Sequence, residues 1–445
     1  MARSTVEDVF EDITVYSHAV VSYVGADGYP LSVATGFRPN RERGTIELEV
    51  PALPGEGIEG REVTVIFSHI RPYPGVGYDQ RRYVTVSGRA APVNGVLEVR
   101  PVKTHGWDEQ RMSFFELCER SVPVAHEYMR ELGEARGKPV KARMALGWLV
   151  FMSARLPFLT ATIVPILLGA LVARSHGFSN WGAVLLALLG GSAIHLGLNI
   201  LNDVFDATSG ADEANVTPTM FSGGSRMIQY GIVSLNSMRI AAAACYAVGI
   251  AIGFYFVATR GIELLWIGLA GVFLSIFYTA PPLRLVHRGL GEICVALGFG
   301  PIMVLGTYFV VTEDLSGEAL YASLPVALLI MLVLYVNQIP DRPADARAGK
   351  NTIVVRLPRE AIVAGFALSV AATFILIAAG PLLSITPAWT FIALATIPLA
   401  IKVHKGLKAH YDSPYELMAT MGQNIMLHLF TGLLLIAGYT LDVVV

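Results

Sequence analysis

Cysteine and charge are both scarce in this chain. Its 445 residues hold three cysteines, Cys118, Cys245 and Cys294. They are far apart and odd in number, which excludes a disulfide framework and a cysteine-rich metal cluster. Charged residues make up 15% of the sequence, against roughly 25% in an ordinary soluble domain. The formal net charge is −2, so no general attraction to nucleic acid is expected. Met1 to Asp12 is acidic and polar rather than a basic stretch leading into an apolar run, so no secretory signal is expected.

The scarcity of charge is uneven. Residues 1–145 carry 38 of the 68 charged side chains, and residues 146–445 carry only 30. The first part is composed like a soluble domain. The second is rich in apolar runs of about 20 residues, which satisfy their backbone in lipid only as helices. A single soluble enzyme, a disordered scaffold and a small secreted module are all excluded. The organisation expected is a soluble domain over 1–140 and a membrane domain over 146–445.

In the front part, Val15 to Val24 is β-rich and runs into a Gly25–Pro30 turn. Leu31 to Thr35 resumes an extended pattern. Thr45 to Val50, Glu62 to Phe67 and Tyr83 to Val86 alternate apolar and polar residues, and Val96 to Val99 is a further short strand. Phe114 to Leu132 has helical spacing. Short strands split by glycine and proline predict a small barrel or sandwich. The phrases "GADGYPLSVATGF" and "YDQRRYVTVSGRA" resemble the split-barrel flavin-binding domains related to pyridoxamine 5′-phosphate oxidase. The resemblance implies a flavin such as FMN, with Arg38, Ser68, Arg81 and Arg82 available to its phosphate, and pairing of two subunits. The alternative is that these are solvated surface charges on a structural module.

Nine apolar segments follow, at roughly 148–173, 180–201, 239–258, 262–280, 289–311, 321–339, 362–380, 388–402 and 424–443. One set of linkers carries Arg226, Arg239, Arg284, Arg288, Arg342, Arg347 and Lys350 among other cations, while the opposite set carries only Arg174 and Arg260. The positive-inside rule then puts the first set, and the N-terminal domain with it, in the cytoplasm. The fold class expected is a multi-pass all-α membrane bundle of about nine helices with an N-terminal soluble, mainly-β domain.

Two polar clusters end segments on that same face. The second segment finishes Asn199, Asn202, Asp203 and Asp206, with Asp212 shortly after. At about 100° per residue, Asn199, Asp203 and Asp206 lie within about 60° of one another, and Asn202 and Asp206 form an i, i+4 pair. The sixth segment finishes Asn337, Gln338, Asp341 and Asp345, followed by Arg347 and Lys350. Carboxylates in two facing groups suit Mg²⁺, a hard cation commonly held by one or two carboxylates with substrate phosphates completing its shell. Bridging ions between two acidic walls, with Arg and Lys nearby, would hold a diphosphate and stabilise it as a leaving group. Each pair alone would also serve to solvate a helix end. Two matching clusters on one face argue against that.

At these residues the chain from about Ser153 to Val445 resembles the UbiA-type intramembrane prenyltransferases. The family's first acidic motif reads "NDVFDATSGAD" here and its second "DRPADARAGK". The phrases "RLPFLTATIVPILLGALVA", "YTAPPLRLVHRGLGEICVALGFGPIMVLGTYFV" and "VNQIPDRPADARAGKNTIVVRL" point within it to the 1,4-dihydroxy-2-naphthoate polyprenyltransferases of menaquinone biosynthesis. The resemblance implies transfer of a polyprenyl group from its diphosphate to a dihydroxynaphthoate, with loss of CO₂. It makes Asp203, Asp206, Asp341 and Asp345 the catalytic carboxylates and, together with Asp212, the metal-binding ones. Asn199, Asn202, Arg226, Tyr278, Arg347 and Lys350 become substrate contacts. Pro340 and Pro343 flank Asp341, so the second motif is expected on a kinked end or loop.

Three further residues carry two readings each. Tyr278 is a mouth residue or an interfacial anchor. Glu292 is a substrate contact or a satisfied packing carboxyl. His195 is a substrate contact or an interhelical hydrogen bond. The rival functions are a superfamily enzyme with another aromatic or lipid acceptor, and a transporter with a soluble regulatory domain. A transporter places its ionisable residues near the bilayer midplane, which the end positions of these carboxylates disfavour.

Overall fold

The computed structural model describes residues 9–25, 28–49, 60, 62–73, 77–145, 147–149, 152 and 155–445. Ala26 and Asp27 of the expected turn lie outside the described residues. The chain divides into two compact units, Met1–Pro123 and Val124–Val445.

The first unit is built on six antiparallel strands: β1 Ala19–Val24, β2 Pro30–Asn40, β3 Thr45–Glu49, β4 Glu62–Tyr73, β5 Gly77–Val93 and β6 Val96–Asp108. They close into a barrel in the order β1-β2-β3-β6-β5-β4. Closure leaves no open sheet edge. The register sets Val21 opposite Val65 and Val65 opposite Val86. The alternation read from the sequence turns Val21, Leu48, Val65, Phe67, Val86 and Val99 inward, all fully buried. β4, β5 and β6 run longer than their alternating patterns. Their shared arm beyond the barrel buries less, so the hydrophobic signal fades while backbone pairing continues, out to Arg82↔Asp108. Helix α1, Phe114–Ala135, follows the strands.

The second unit is helical. Among the described residues seven helices are long and apolar enough to cross a membrane: α3 Trp181–Ser209, α4 Leu235–Arg260, α6 Gly291–Thr312, α7 Gly317–Asn337, α8 Arg359–Leu382, α9 Ala388–His410 and α10 Pro414–Val444. Two shorter apolar helices accompany them, α2 Thr160–Ser175 and α5 Glu263–Phe277. Arg155 takes a left-handed conformation (φ 47°) and a 3₁₀ turn, Leu156–Leu159, precedes α2.

The core is formed by α2, α6, α7 and α10, with Leu168, Val304, Val326 and Leu427 buried among them. Close approach needs small residues. A Cβ on Gly169 of α2 would lie 2.5 Å from the Val304 carbonyl of α6, and one on Gly300 would lie 2.4 Å from Ala327 Cβ of α7. Pro301 sits in a single π turn, Gly298–Ile302, within α6. A helix-interior proline cannot donate to the i−4 carbonyl and crowds it, and the wider turn relieves that conflict.

Candidate functional site

α3 carries the first acidic motif on its last two turns. It is capped by Gly210 in the left-handed region (φ 77°), and a short helix, Ala211–Ala214, turns Asp212 back toward Asp203 and Asp206. The expected i, i+4 pair forms: Asn202 Nδ2 donates to Asp206 Oδ2 at 2.8 Å. α7 ends at Asn337. The chain then turns through Pro340 into a short helix, Arg342–Arg347, which starts at Asp341 and carries Asp345. The second motif is thus a kinked helix end, as its prolines predict.

The two motifs face one chamber of about 160 Å³. Asn199, Asn202, Asp206, Asp212, Tyr278, Asp341, Asp345 and Lys350 all line it. Lys350 joins the walls. Its Nζ donates to Asp206 Oδ2 at 3.0 Å and stands 3.6 Å from Asp345 Oδ1. Burial disfavours its ammonium, but the Asp206 and Asp345 carboxylates more than offset this and hold it charged. Asp341 accepts from Asn215 Nδ2 at 2.8 Å and from the Gly223 amide at 3.0 Å.

Three expected residues are placed differently. Asp203 is not in the lining. It lies behind Arg155, with which it pairs, and accepts from the Ser225 amide at 3.2 Å. Arg226 is buried and donates to the Asp212 carbonyl rather than pointing into the chamber. Arg347 is exposed and outside the lining.

Of the residues with two readings, Tyr278 is buried and lines the chamber, so it is not an exposed interfacial anchor. His195 Nδ1 is 2.8 Å from the Thr162 hydroxyl, and the ring packs edge-on to Phe299. This is the interhelical hydrogen bond expected of a packed histidine, although the ring also lines the chamber. Glu292 is 2% exposed and neither carboxylate oxygen has a hydrogen-bond partner. It is not a satisfied packing carboxyl.

Sequence reasoning gave no role to Arg155, Asn215, Gly223 and Gly224, all of which line the chamber. The phrase "SGGSR" was the available signal for the glycines. Gly224 has φ +74°, and a Cβ there would sit 3.1 Å from Asp212 Oδ1 and 3.3 Å from Asp203 Oδ1. Glycine leaves a hollow where two carboxylates converge.

The electrostatics are unbalanced. Five carboxylates, from Asp203, Asp206, Asp212, Asp341 and Asp345, meet three cations, Arg155, Arg226 and Lys350. Burial and the neighbouring Asp206 and Asp203 carboxylates push Asp212 up to about 8. Burial, with Asp341 and Asp206 adding to it against Lys350, pushes Asp345 up to about 7. Both carboxyls are thus held back from ionising by burial and their neighbours, and a divalent cation bound among them would favour the ionised forms. Among the described residues no three acidic or histidine side chains converge as a closed ligand set. Mg²⁺ is commonly held by only one or two carboxylates, with substrate phosphates completing its shell.

An apolar cavity of about 330 Å³ among α3, α4, α5 and α6 adjoins the chamber. His195, Leu198, Tyr278, Val295 and Phe299 line both spaces.

A bundle of apolar helices with paired acidic motifs at one end defines an integral membrane protein with a polar site at its edge. Residues 162–430 match the UbiA prenyltransferase family, and the chain belongs to it. It is 24% identical over 310 residues to the 1,4-dihydroxy-2-naphthoate octaprenyltransferase of Bacillus subtilis, covering 70% of this chain and 98% of that one. It is 27% identical over 286 residues to the 2-carboxy-1,4-naphthoquinone phytyltransferase of Synechocystis, covering 64% and 90%. Among solved structures, a UbiA homolog from Archaeoglobus fulgidus bound to DMAPP and Mg²⁺ is similar, with TM-score 0.47 and 16% identity over 64% of this chain and 98% of that one.

Proposed function

We propose that this protein transfers a polyprenyl group from its diphosphate to 1,4-dihydroxy-2-naphthoate, releasing CO₂ and diphosphate in menaquinone biosynthesis. The observation that carries the reading is the chamber itself: two acidic motifs line a space that shares one wall with an apolar cavity. A diphosphate and a hydrocarbon tail need these two environments side by side. The relatives named for naphthoate prenylation or phytylation supply the acceptor class.

Asp206, Asp212, Asp341 and Asp345 would hold Mg²⁺, with Asp203 steadying Arg155 behind them. Bound there, Mg²⁺ supplies Lewis-acid stabilisation of the departing diphosphate. Lys350 and Arg155, the latter held by Asp203, would neutralise the diphosphate oxygens. Asn199 and Asn202 orient that group at the end of α3. The allylic C–O bond breaks with its electron pair going to the diphosphate. Tyr278, His195 and Phe299 wall the junction where the allylic carbon lies, keeping water from the cation. The ring carbon bearing the carboxylate attacks, the new C–C bond forms, and loss of CO₂ returns its electron pair to the ring.

The finer architecture is read as nine spans, the seven long helices with α2 and α5, and with the acidic mouth and the N-terminal barrel in the cytoplasm. The barrel is assigned to the split-barrel class. Its interior is filled by Val21, Val65, Phe67 and Val86, so FMN or another flavin would take an outer face. Titrating FMN, FAD and a deazaflavin into the full-length protein and recording the visible spectrum tests that assignment.

Turnover of purified protein with dihydroxynaphthoate, polyprenyl diphosphate and Mg²⁺ tests the main reading. The expected product is the prenylated, decarboxylated naphthalenediol, with the carboxyl label recovered as CO₂. Prenylation of a glyceryl phosphate instead would move the protein to another branch of the family.

A further inference from the structure

α7 ends at Asn337, and Gln338 caps it before the chain turns through Pro340. Both side chains line the acidic chamber. Asn337 is 8% exposed and Gln338 6%, and Asn337 Oδ1 and Gln338 Oε1 are buried without a hydrogen-bond partner. A buried acceptor left bare is destabilising, and native structures leave few of them. Here two adjacent residues of one wall do so. The other amides of the chamber are used differently. Asn202 donates to Asp206, and Asn215 donates to Asp341. Asn199, on the α3 wall, has a bare atom of the opposite kind, its Nδ2 donor. Glu292 also has bare oxygens, but it lines neither the chamber nor the apolar cavity.

We propose that Asn337 and Gln338 bind the hydroxyl groups of the aromatic acceptor and so select a dihydroxylated ring. The inference rests on the reading of the protein as a prenyltransferase and names the residues that recognise its second substrate. Ionised diphosphate oxygens only accept hydrogen bonds. The Asn199 donor suits them, and the two α7 oxygens do not. Those oxygens require an O–H or N–H donor, and of the two substrates only the phenolic ring brings one. The position fits as well. Ile330, Val333, Leu334 and Asn337 fall on one face of α7 at helical spacing, and all line the chamber. A flat ring laid on Val333 and Leu334 reaches the amides with its hydroxyls. Asp341 follows Asn337 by four residues and belongs to the wall assigned to the metal and the diphosphate, so the ring is held beside the allylic carbon. A ring lacking a hydroxyl leaves an amide oxygen bare in the complex, and a site built this way discriminates strongly against it.

The test measures equilibrium binding to full-length protein in nanodiscs by calorimetry, with Mg²⁺ present and no prenyl donor. The ligands are 1,4-dihydroxy-2-naphthoate, 1-hydroxy-2-naphthoate and 4-hydroxy-2-naphthoate. The unsubstituted protein should bind each monohydroxy ring about 10-fold or more weakly than the diol. Asn337→Leu and Gln338→Met remove the amide oxygens at similar volume. Each should weaken the diol and erase the preference over one monohydroxy ring, because that ring never used the lost oxygen. A purely structural role would weaken all three ligands together and keep the preference, which overturns the proposal. Amide oxygens also ligate Mg²⁺. A raised Mg²⁺ requirement for turnover in the variants, with the ligand preference intact, overturns the proposal in favour of a metal role. The unsubstituted protein decides the matter even if both variants misfold: equal affinity for the three rings, or no binding of the diol, overturns it. Preferential binding of the diol with no transfer of any prenyl group removes the prenyltransferase reading instead and leaves the hydroxyl site standing.

Discussion

Lys350 Nζ lies 3.0 Å from Asp206 Oδ2, so a cation from the loop after α7 is seated on a carboxylate from the end of α3. It also stands 3.6 Å from Asp345 Oδ1. The two acidic motifs are thereby joined through one buried ammonium. Without it, two buried carboxylates would face each other unpaired. Removing one partner of a buried ion pair costs about 3–5 kcal/mol. Lys350→Met should lower the melting temperature of the metal-free protein and abolish transfer, and Mg²⁺ should narrow the stability difference by replacing the lost charge. Unchanged melting in Lys350→Met would show that the bridge does not hold the walls together.

The carboxylates themselves should matter for chemistry more than for folding. Asp341→Asn keeps the shape of a side chain that accepts from Asn215 and Gly223 and removes its charge. Losing a metal-held contact to the leaving group costs several kcal/mol, so kcat/KM should fall by at least about 100-fold with membrane expression retained. Asp203→Asn should act through Arg155, its partner, and raise KM for the diphosphate donor as well. EDTA should stop turnover and Mg²⁺ restore it. Turnover that persists in EDTA, or near-normal turnover in both variants, would reject the two-wall arrangement.

What was legible in the sequence follows the range of each interaction. The Asn202–Asp206 pair is one helical turn long, and period alone reveals it. The barrel interior was visible in the alternation of Thr45 to Val50 and Glu62 to Phe67. Arg155 was not visible, because its partner Asp203 is 48 residues away and the contact depends on a left-handed backbone at Arg155 itself. Asn215 and Gly223 reach Asp341 across 126 and 118 residues. No periodicity encodes such contacts. Arg226 and Arg347 were the converse case. Basic residues beside acidic motifs suggest phosphate binding, but only the fold decides that one is turned to the Asp212 carbonyl and the other to the surface.

Sidedness can be measured without activity. α7 ends and α8 begins on the chamber side, so Leu315 before α7 and Ser384 after α8 belong to the opposite side. In a background lacking Cys118, Cys245 and Cys294, Leu315→Cys and Ser384→Cys should react with an impermeant thiol reagent in intact cells. Ala346→Cys and Lys405→Cys, both exposed positions, should react only after lysis. The opposite pattern would place the acidic mouth away from a cytosolic diphosphate donor and overturn the orientation.

The barrel has its own point of failure at Gly88. The β5–β6 register shifts between Ser87 and Gly88. At that irregularity a Cβ on Gly88 would lie 2.1 Å from the Arg100 carbonyl and 2.9 Å from its carbon. The obstruction is backbone, so no rotamer change relieves it, and the strands must separate or slip. Overpacking of this kind typically costs about 1–3 kcal/mol, and a slip by one residue would reverse the faces of Val84 and Val86. Gly95→Ala is the informative comparison. Gly95 sits in the β5–β6 turn at φ +83° with open space around its Cβ position, so its cost is conformational and about 1 kcal/mol. In the full-length protein, Gly88→Ala should raise amide exchange throughout β5 and β6, while Gly95→Ala should affect only the turn. Every residue lining the acidic chamber lies from Arg155 onward, so prenyl transfer should persist in both. Loss of transfer in Gly88→Ala with an intact helical unit would show that the barrel takes part in turnover.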